Sequence, residues 1–347
     1  MASIKSKFFV FAFICTINYA SGQAATINTI VNVSPPLFGF YSKSLNCGGI
    51  MIRSSEQVDD KALLVASNKL NMMLANMPEA RHNLAQWGAE LHILSKDQQT
   101  SDLPEYRTQK GVKFVDNGIA TDIDARTRGM GGIYASCGEE NLLNLPGDRY
   151  AGGSDICMHE FAHDIMYYGL DDSLQAKIKR QYQNAKNKGL WKDAYAISNE
   201  TEYWAELSTW YFGAHGEFLK HTKLPEPGAS GLKDYDPDGY GLLDSIYSGK
   251  LKNDALDVLP CKQVGPDAKS GKQKLEGYIM FSNNTAEWRN LFWIDSDGKV
   301  IAYGGIAPYT KFMQKTFVSH IWKIADDAGK TIGFYMPITR YASAVLN

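Results

Sequence analysis

The stretch DICMHEFAHDIMYYG, residues 155–169, decides how the rest of the chain is read. It sets His159 and His163 four positions apart with Glu160 between them, among apolar and helix-forming neighbours. On a helix the two imidazoles then fall on one face, only about 40° apart. Two neutral imidazoles so placed can share one Zn²⁺, and the intervening glutamate can reach a water at the metal. The same pattern also arises by chance in an amphipathic helix with two polar-face histidines. Other ligands have to be found elsewhere in the chain. Ser154 or Asp155 suits the N-cap of this helix.

Downstream, YAISNETEYWAELSTWYF, residues 195–212, carries Glu202 and Glu206 four apart on one helix face. A carboxylate from this second helix would complete a His₂Glu set and leave one coordination position for water. Trp204, Leu207, Trp210 and Tyr211 make the helix largely buried, and buried carboxylates need partners. His215 and His221 are alternative third ligands. Cys157 is not, because two residues before His159 it points away from the histidine face.

At the start of the chain, Lys5 and Lys7 precede FFVFAFICTI and then Ala20, Ser21 and Gly22, the order of a secretory signal over residues 1–22. Its apolar run is too short for a membrane span, and no later segment is long and apolar enough for one. The reading is therefore a secreted, extracellular protein. With 44% hydrophobic and 21% charged residues the remainder can bury a sizeable core. A net charge of -2 and no basic run argue against nucleic acid as a partner. Cys47, Cys137, Cys157 and Cys261 remain after the signal, and in an oxidising compartment they are expected to form two disulfides of undetermined pairing. Asn32, Asn199 and Asn283 begin N-x-S/T patterns; Pro35 weakens the first, and Asn199 lies close to the proposed site.

Residues 58–77 have apolar positions at helical spacing that Pro78 stops, and residues 89–94 read as a strand. Gly-rich, irregular sequence follows over residues 129–153. Residues 23–46 could be a pro-segment, a lead-in or part of the fold.

HEFAH, then Tyr195, then NETEYWAE resembles the catalytic domain of the anthrax lethal factor-like gluzincin metallopeptidases, a group that includes proline-proline endopeptidases. EENLLNLPGDRY, GLWKDAYAISNETEYWAE and KDYDPDGYGLL sharpen the likeness to secreted relatives, over roughly residues 47–247. The resemblance implies His159, His163 and Glu202 as ligands of one Zn²⁺ and Glu160 as the catalytic base. It implies Tyr195 as hydrogen-bond donor to the developing oxyanion and Glu206 as the carboxylate that orients a ligand histidine. Asp164, adjacent to His163, is the alternative to Glu206 in that role, although neighbouring residues diverge on a helix.

After residue 257 the texture changes. Residues 258–274 are rich in Lys, Gly and Pro and read as a linker. Short strand-like runs broken by turns then describe a small antiparallel β domain over residues 275–347. WIDSDGKVIAYGGIAPYTKFMQKTFVSHIW resembles the von Hippel-Lindau β domain over its hydroxyproline-binding segment. That resemblance implies a pocket of Trp293, Tyr303, His320 and Trp322, with Thr316 where the family has serine. No trailing helical domain follows, so no elongin-type partner is expected. Aromatic residues on strands also commonly serve as sandwich core.

The expectation is thus an α+β chain: a mainly helical zincin-type metallopeptidase domain over residues 23–257, a linker, and a small antiparallel β-sandwich. The function read from it is a secreted zinc endopeptidase whose β domain holds proline- or hydroxyproline-rich protein substrates. The competing reading is an inactive secreted binding protein working through the β domain.

Overall fold

A computed structural model describes residues 29–116, 118–150, 153–215 and 225–347. The expected signal and His221 lie outside them. The first half is built on a five-stranded sheet of β1 (Ile30–Leu37), β2 (Tyr41–Cys47), β3 (Ile50–Ser54), β4 (Glu90–Leu94) and β7 (Tyr134–Gly138), in the order β1-β2-β3-β4-β7. Its first pairs are antiparallel, whereas β3–β4 and β4–β7 are parallel. A parallel pair needs a long crossover. Helices α1 (Asp60–Met73) and α2 (Pro78–Trp87) supply it between β3 and β4.

Helix α1 starts where Asp59 accepts a bond from the Lys61 amide at 2.8 Å, and it buries Ala62, Leu63, Ala66, Leu70 and Met73. That spacing is one helix face, each large side chain stabilising by about 1.5–3 kcal/mol. Pro78 both stops α1's pattern and opens α2 at its first turn, where a missing N–H costs nothing. Gly88 ends α2 at φ +68°, and a Cβ there would meet Lys311 Nζ at 2.6 Å. The left-handed backbone is what favours glycine here.

A hairpin of β5 (Phe114–Asp116) and β6 (Ile119–Thr121) leads into α3 (Ile123–Arg126); α4 (Glu139–Leu143) follows β7. Then come α5 (Ile156–Asp164), α6 (Asp172–Asn187), α7 (Glu200–Tyr211), α8 (Gly228–Tyr235) and α9 (Pro237–Tyr247). No helix among the described residues is long and apolar enough to cross a membrane.

The second half is a sandwich. Strands β8 (Leu259–Pro260), β9 (Lys262–Gln263), β10 (Glu276–Asn283), β11 (Arg289–Ile294), β12 (Val300–Ile306), β13 (Lys311–Phe317), β14 (Ile321–Ala325), β15 (Thr331–Met336) and β16 (Tyr341–Leu346) form two sheets, ordered β13-β10-β16-β8 and β12-β11-β14-β15-β9. Ile279, Phe281, Leu291, Trp322, Ile324 and Leu346 fill the space between them. The opposite face of β10 is also covered: Met280 joins the core of the first half, with Tyr278, Met313 and Tyr341 packed against it. Strand β10 therefore lacks the polar alternation of a half-exposed strand.

The chain is α+β, but the layout differs from the expectation at several places. The first half holds a full sheet, because residues 30–47 pair into it; that segment is part of the fold. The Gly-rich stretch contains β7, all five residues buried. The expected linker supplies β8 and β9, and Ser270 accepts bonds from Ile321 N at 2.8 Å and Trp293 Nε1 at 3.1 Å. The sandwich is not purely antiparallel, since β16 lies parallel to both β10 and β8.

The expected disulfides are absent: all four cysteines are free thiols. Cys47 donates to Ser67 O and Asn71 Oδ1 in the first core, and Cys261 sits against the second. Cys137 on β7 and Cys157 on α5 are fully buried in the same core, where Cys157 and burial push the Cys137 thiol up. Two of the three glycosylation patterns are committed to structure. Asn199 caps α7, and buried Asn283 donates to three carbonyls, leaving Asn32 exposed.

Candidate metal centre

Helix α5 is fixed before its histidines are considered. Asp155 is the N-cap, accepting from Met158 N at 3.0 Å, and its other oxygen pairs with Lys69 of α1. Cys157, Phe161 and Ala162 are fully buried against the first core. The helix then loosens into a π turn, Ile165–Gly169, whose Gly169 carbonyl accepts from Asn83 and Asn253 at 2.9 and 2.8 Å. His159 and His163 take the remaining face, towards a cavity of about 740 Å³.

Asn199 starts α7 by accepting from Thr201 N and Glu202 N, and Tyr195 lies just upstream in a separate short turn, Tyr195–Ile197. Trp204 crosses to α5, donating its indole N–H to Ala162 O at 2.8 Å, and its ring stacks on Tyr247. This clamp, with the contacts of Glu202 and Glu206 to His159, holds α7 against α5.

Three atoms converge. His159 Nε2 lies 3.2 Å from His163 Nε2 and 3.1 Å from Glu202 Oε2, and His163 Nε2 lies 3.4 Å from that same oxygen. Bonds of 2.0–2.1 Å to a tetrahedral ion put ligand atoms roughly 3.3 Å apart, so the triangle has the dimensions of a metal's three protein ligands. Although it sits at ion-pair distance from both rings, the buried Glu202 Oε2 has no hydrogen bond. Lone pairs pointing at one another suit a shared cation. Glu160 also reaches within 4.8 Å of the histidine nitrogens, but Glu202 is nearer, and Glu160 opens on the cavity. The donor set, two imidazoles and a carboxylate, fits a borderline divalent cation such as zinc.

On the far side of its ring, His159 Nδ1 is 2.9 Å from Glu206 Oε1. This contact fixes which nitrogen carries the proton and leaves Nε2 facing Glu202. Asp164, the alternative, does not do this: its Oδ1 accepts from Gly132 N at 3.1 Å. His215 lines the cavity and packs against Gly153.

Burial opposes a charged His159, but the Glu202 and Glu206 carboxylates outweigh it and raise its proton affinity well above the usual range. Burial likewise opposes a charged Glu202, yet the two histidines hold its carboxyl far below the ordinary value. Glu160 is raised, by burial first and by Glu202 and Glu206 next, against the pull of the histidines. That is the direction a proton acceptor and donor near neutrality needs. Tyr195 is pushed up to about 12, chiefly by burial and by Glu202, so it is a phenol that donates. Its ring centroid is 6.3 Å from that of His159.

The loop Gly129 to Gly132 closes one side of the cavity. Met130 and Ser136 exchange backbone bonds at 3.2 and 2.8 Å, and a Cβ on Gly129 or Gly131 would strike Ile156 or His163 at 2.4 or 2.9 Å. Glycine lets this backbone lie directly on the histidine helix. In sequence this loop is simply Gly-rich and irregular, and nothing there marks Arg126. Arg126 lines the cavity and is brought there only by tertiary folding.

The five tail residues also meet. Trp322 is buried and donates to Thr316 Oγ1 at 2.9 Å; Tyr303 is half exposed and edge-on to Trp322 with centroids 5.0 Å apart; Trp293 stacks on His320 at 5.1 Å.

No family model and no curated protein matches the chain. Among solved structures it is similar to a PRO-PRO endopeptidase from Paenibacillus alvei, with 16% identity and a TM-score of 0.42 over 57% of this chain and 96% of that one. A likeness at that level carries no argument about activity.

Proposed function

We propose that the chain is a zinc-dependent endopeptidase of the gluzincin type, with His159, His163 and Glu202 as metal ligands. The observation that carries this is the triangle of ligand atoms 3.1–3.4 Å apart, backed by Glu206 on His159. Bound Zn²⁺ supplies Lewis acidity, polarising a peptide carbonyl and making water more acidic. Glu160 takes the proton of the attacking water and returns it to the leaving amine. Tyr195 donates to the oxygen that becomes negative, an effect worth about 3 kcal/mol for one donor. Glu206 keeps His159 in the ligating tautomer.

The same reading gives the sandwich a tethering role. The Trp293 indole, the Tyr303 phenol and the His320 imidazole keep exposed area and form a surface on which a proline ring stacks while polar groups read its hydroxyl, with Trp322 and Thr316 buried beneath it. Holding hydroxyproline- or proline-rich extracellular chains there raises their concentration at the cleft. The signal expected at residues 1–22 makes a secreted location part of the proposal.

The test is cleavage of a peptide library by purified protein, with and without a chelator, beside Glu160→Ala. Cleavage lost on chelation, restored by zinc and missing in the variant supports the enzyme. Equal activity in both proteins, or none in the wild type, rejects it and leaves the binding protein.

A further inference from the structure

Tyr195 opens a single short 3-10 turn, Tyr195–Ile197, so what aims its hydroxyl has to come from elsewhere. Arg126, the last residue of α3, shares the cavity wall with Tyr195, and its guanidinium charge lies close enough to the Tyr195 phenol to act on it. Its Nε donates to Asp116 Oδ2 at 2.5 Å, at the end of β5. The helix beneath is clamped: Asp124 accepts from Ser101 N and Oγ, both at 2.8 Å, and Arg149 donates to Ala125 O and Asp124 O at 3.1 and 3.0 Å. A guanidinium offers five N–H groups in a rigid fork, so one edge can serve Asp116 while another serves the phenol oxygen.

We propose that Arg126, braced by Asp116, is the positioning residue for Tyr195: it donates to the phenol oxygen, fixes the ring's rotation and leaves the O–H for the substrate. Donation into that oxygen also strengthens the O–H as a donor, since hydrogen bonds in a chain polarise one another. The inference rests on the peptidase reading and adds to it a residue outside the HExxH and NETEYWAE segments.

The experiment is a double-mutant cycle on the zinc-loaded full chain, using a peptide that the wild type cleaves. Tyr195→Phe is expected to lower kcat about 10²-fold. Arg126→Ala is expected to lower kcat about tenfold with KM changed less than twofold, and to cost nothing further in the Tyr195→Phe background. Arg126→Lys, which keeps a donor and guards against misfolding of the alanine variant, recovers part of kcat, and zinc content stays at the wild-type level. Losses that multiply in the double variant, or a change in KM alone, overturn the positioning role while leaving the peptidase intact. A wild type that cleaves nothing overturns both.

Discussion

His159 Nδ1 and Glu206 Oε1 lie 2.9 Å apart, which commits the opposite ring nitrogen to the Glu202 side. Removing the charge of that carboxylate should loosen the metal without removing a ligand. Glu206→Gln is expected to weaken zinc binding about 10–100-fold, and Glu206→Ala at least as much. Competition with a chromophoric chelator reads this directly; unchanged affinity would show that the contact does not tune the site.

A second buried cluster sets a pH dependence of stability. His92 Nδ1 is 2.6 Å from Glu105 Oε1 and 2.8 Å from the Tyr41 hydroxyl, while its Nε2 is 3.4 Å from Glu90 Oε2 with Arg53 beyond; Lys311 lies over the neighbouring Tyr134 ring. Burial pushes His92 down, but Glu105 and Glu90 outweigh it and raise it from 6.5 to about 9. A raised value means the folded state binds the proton more tightly. The stabilisation is complete below about pH 6.5 and disappears as pH rises through about 9. Urea unfolding at pH 6 and pH 9.5 should show a loss of about 2–3 kcal/mol in the wild type that His92→Gln lacks. Equal slopes in the two proteins would count against a charged His92. Glu90, held at about 2 against its burial by His92 and Arg53, gives the acid counterpart, lost as pH falls from about 4.5 through 2.

Asp236 is fully buried and accepts from Trp191 Nε1 at 2.9 Å, the Tyr203 hydroxyl at 2.7 Å and Gly239 N at 2.9 Å. Asp236→Ala leaves buried donors without a partner and should cost about 3 kcal/mol in chemical denaturation. Because Tyr203 belongs to α7, zinc affinity should fall with it. A loss under about 0.5 kcal/mol would contradict this account.

For the sandwich, the full chain is expected to bind a hydroxyproline-containing peptide more tightly than its unhydroxylated twin. Tyr303→Ala, at a half-exposed wall position, should weaken that binding about tenfold. Calorimetry showing no preference for the hydroxylated peptide would remove the tethering role.

Helix α5 is legible in the sequence because its chemistry is local. His159 and His163 share a face by spacing alone, and Asp155 is a recognisable cap. Glu202 could be named because Trp204 and its neighbours marked a buried helix that still carried carboxylates. The sheet was harder to read, since Tyr41–Cys47 mixes Lys and Asn among its apolar residues and Tyr134–Gly138 sits in Gly-rich surroundings. Strand β16 is hard to read because its small alanines give little alternation signal. Residues 259–274 looked like a linker by composition, and only their pairing with β15 and β16 gives them a place. Arg126 could not be read at all. It lies far from Tyr195 in sequence, and nothing in RTRGMGG announces that the two share a cavity wall.

The most direct measurement is zinc K-edge X-ray absorption of the purified, zinc-loaded full chain. The account predicts one zinc per chain with nitrogen and oxygen scatterers at about 2.0–2.1 Å, a two-imidazole signature, and loss of that sphere in Glu202→Ala. Sulfur scattering at about 2.3 Å, or a sphere unchanged by Glu202→Ala, would contradict it.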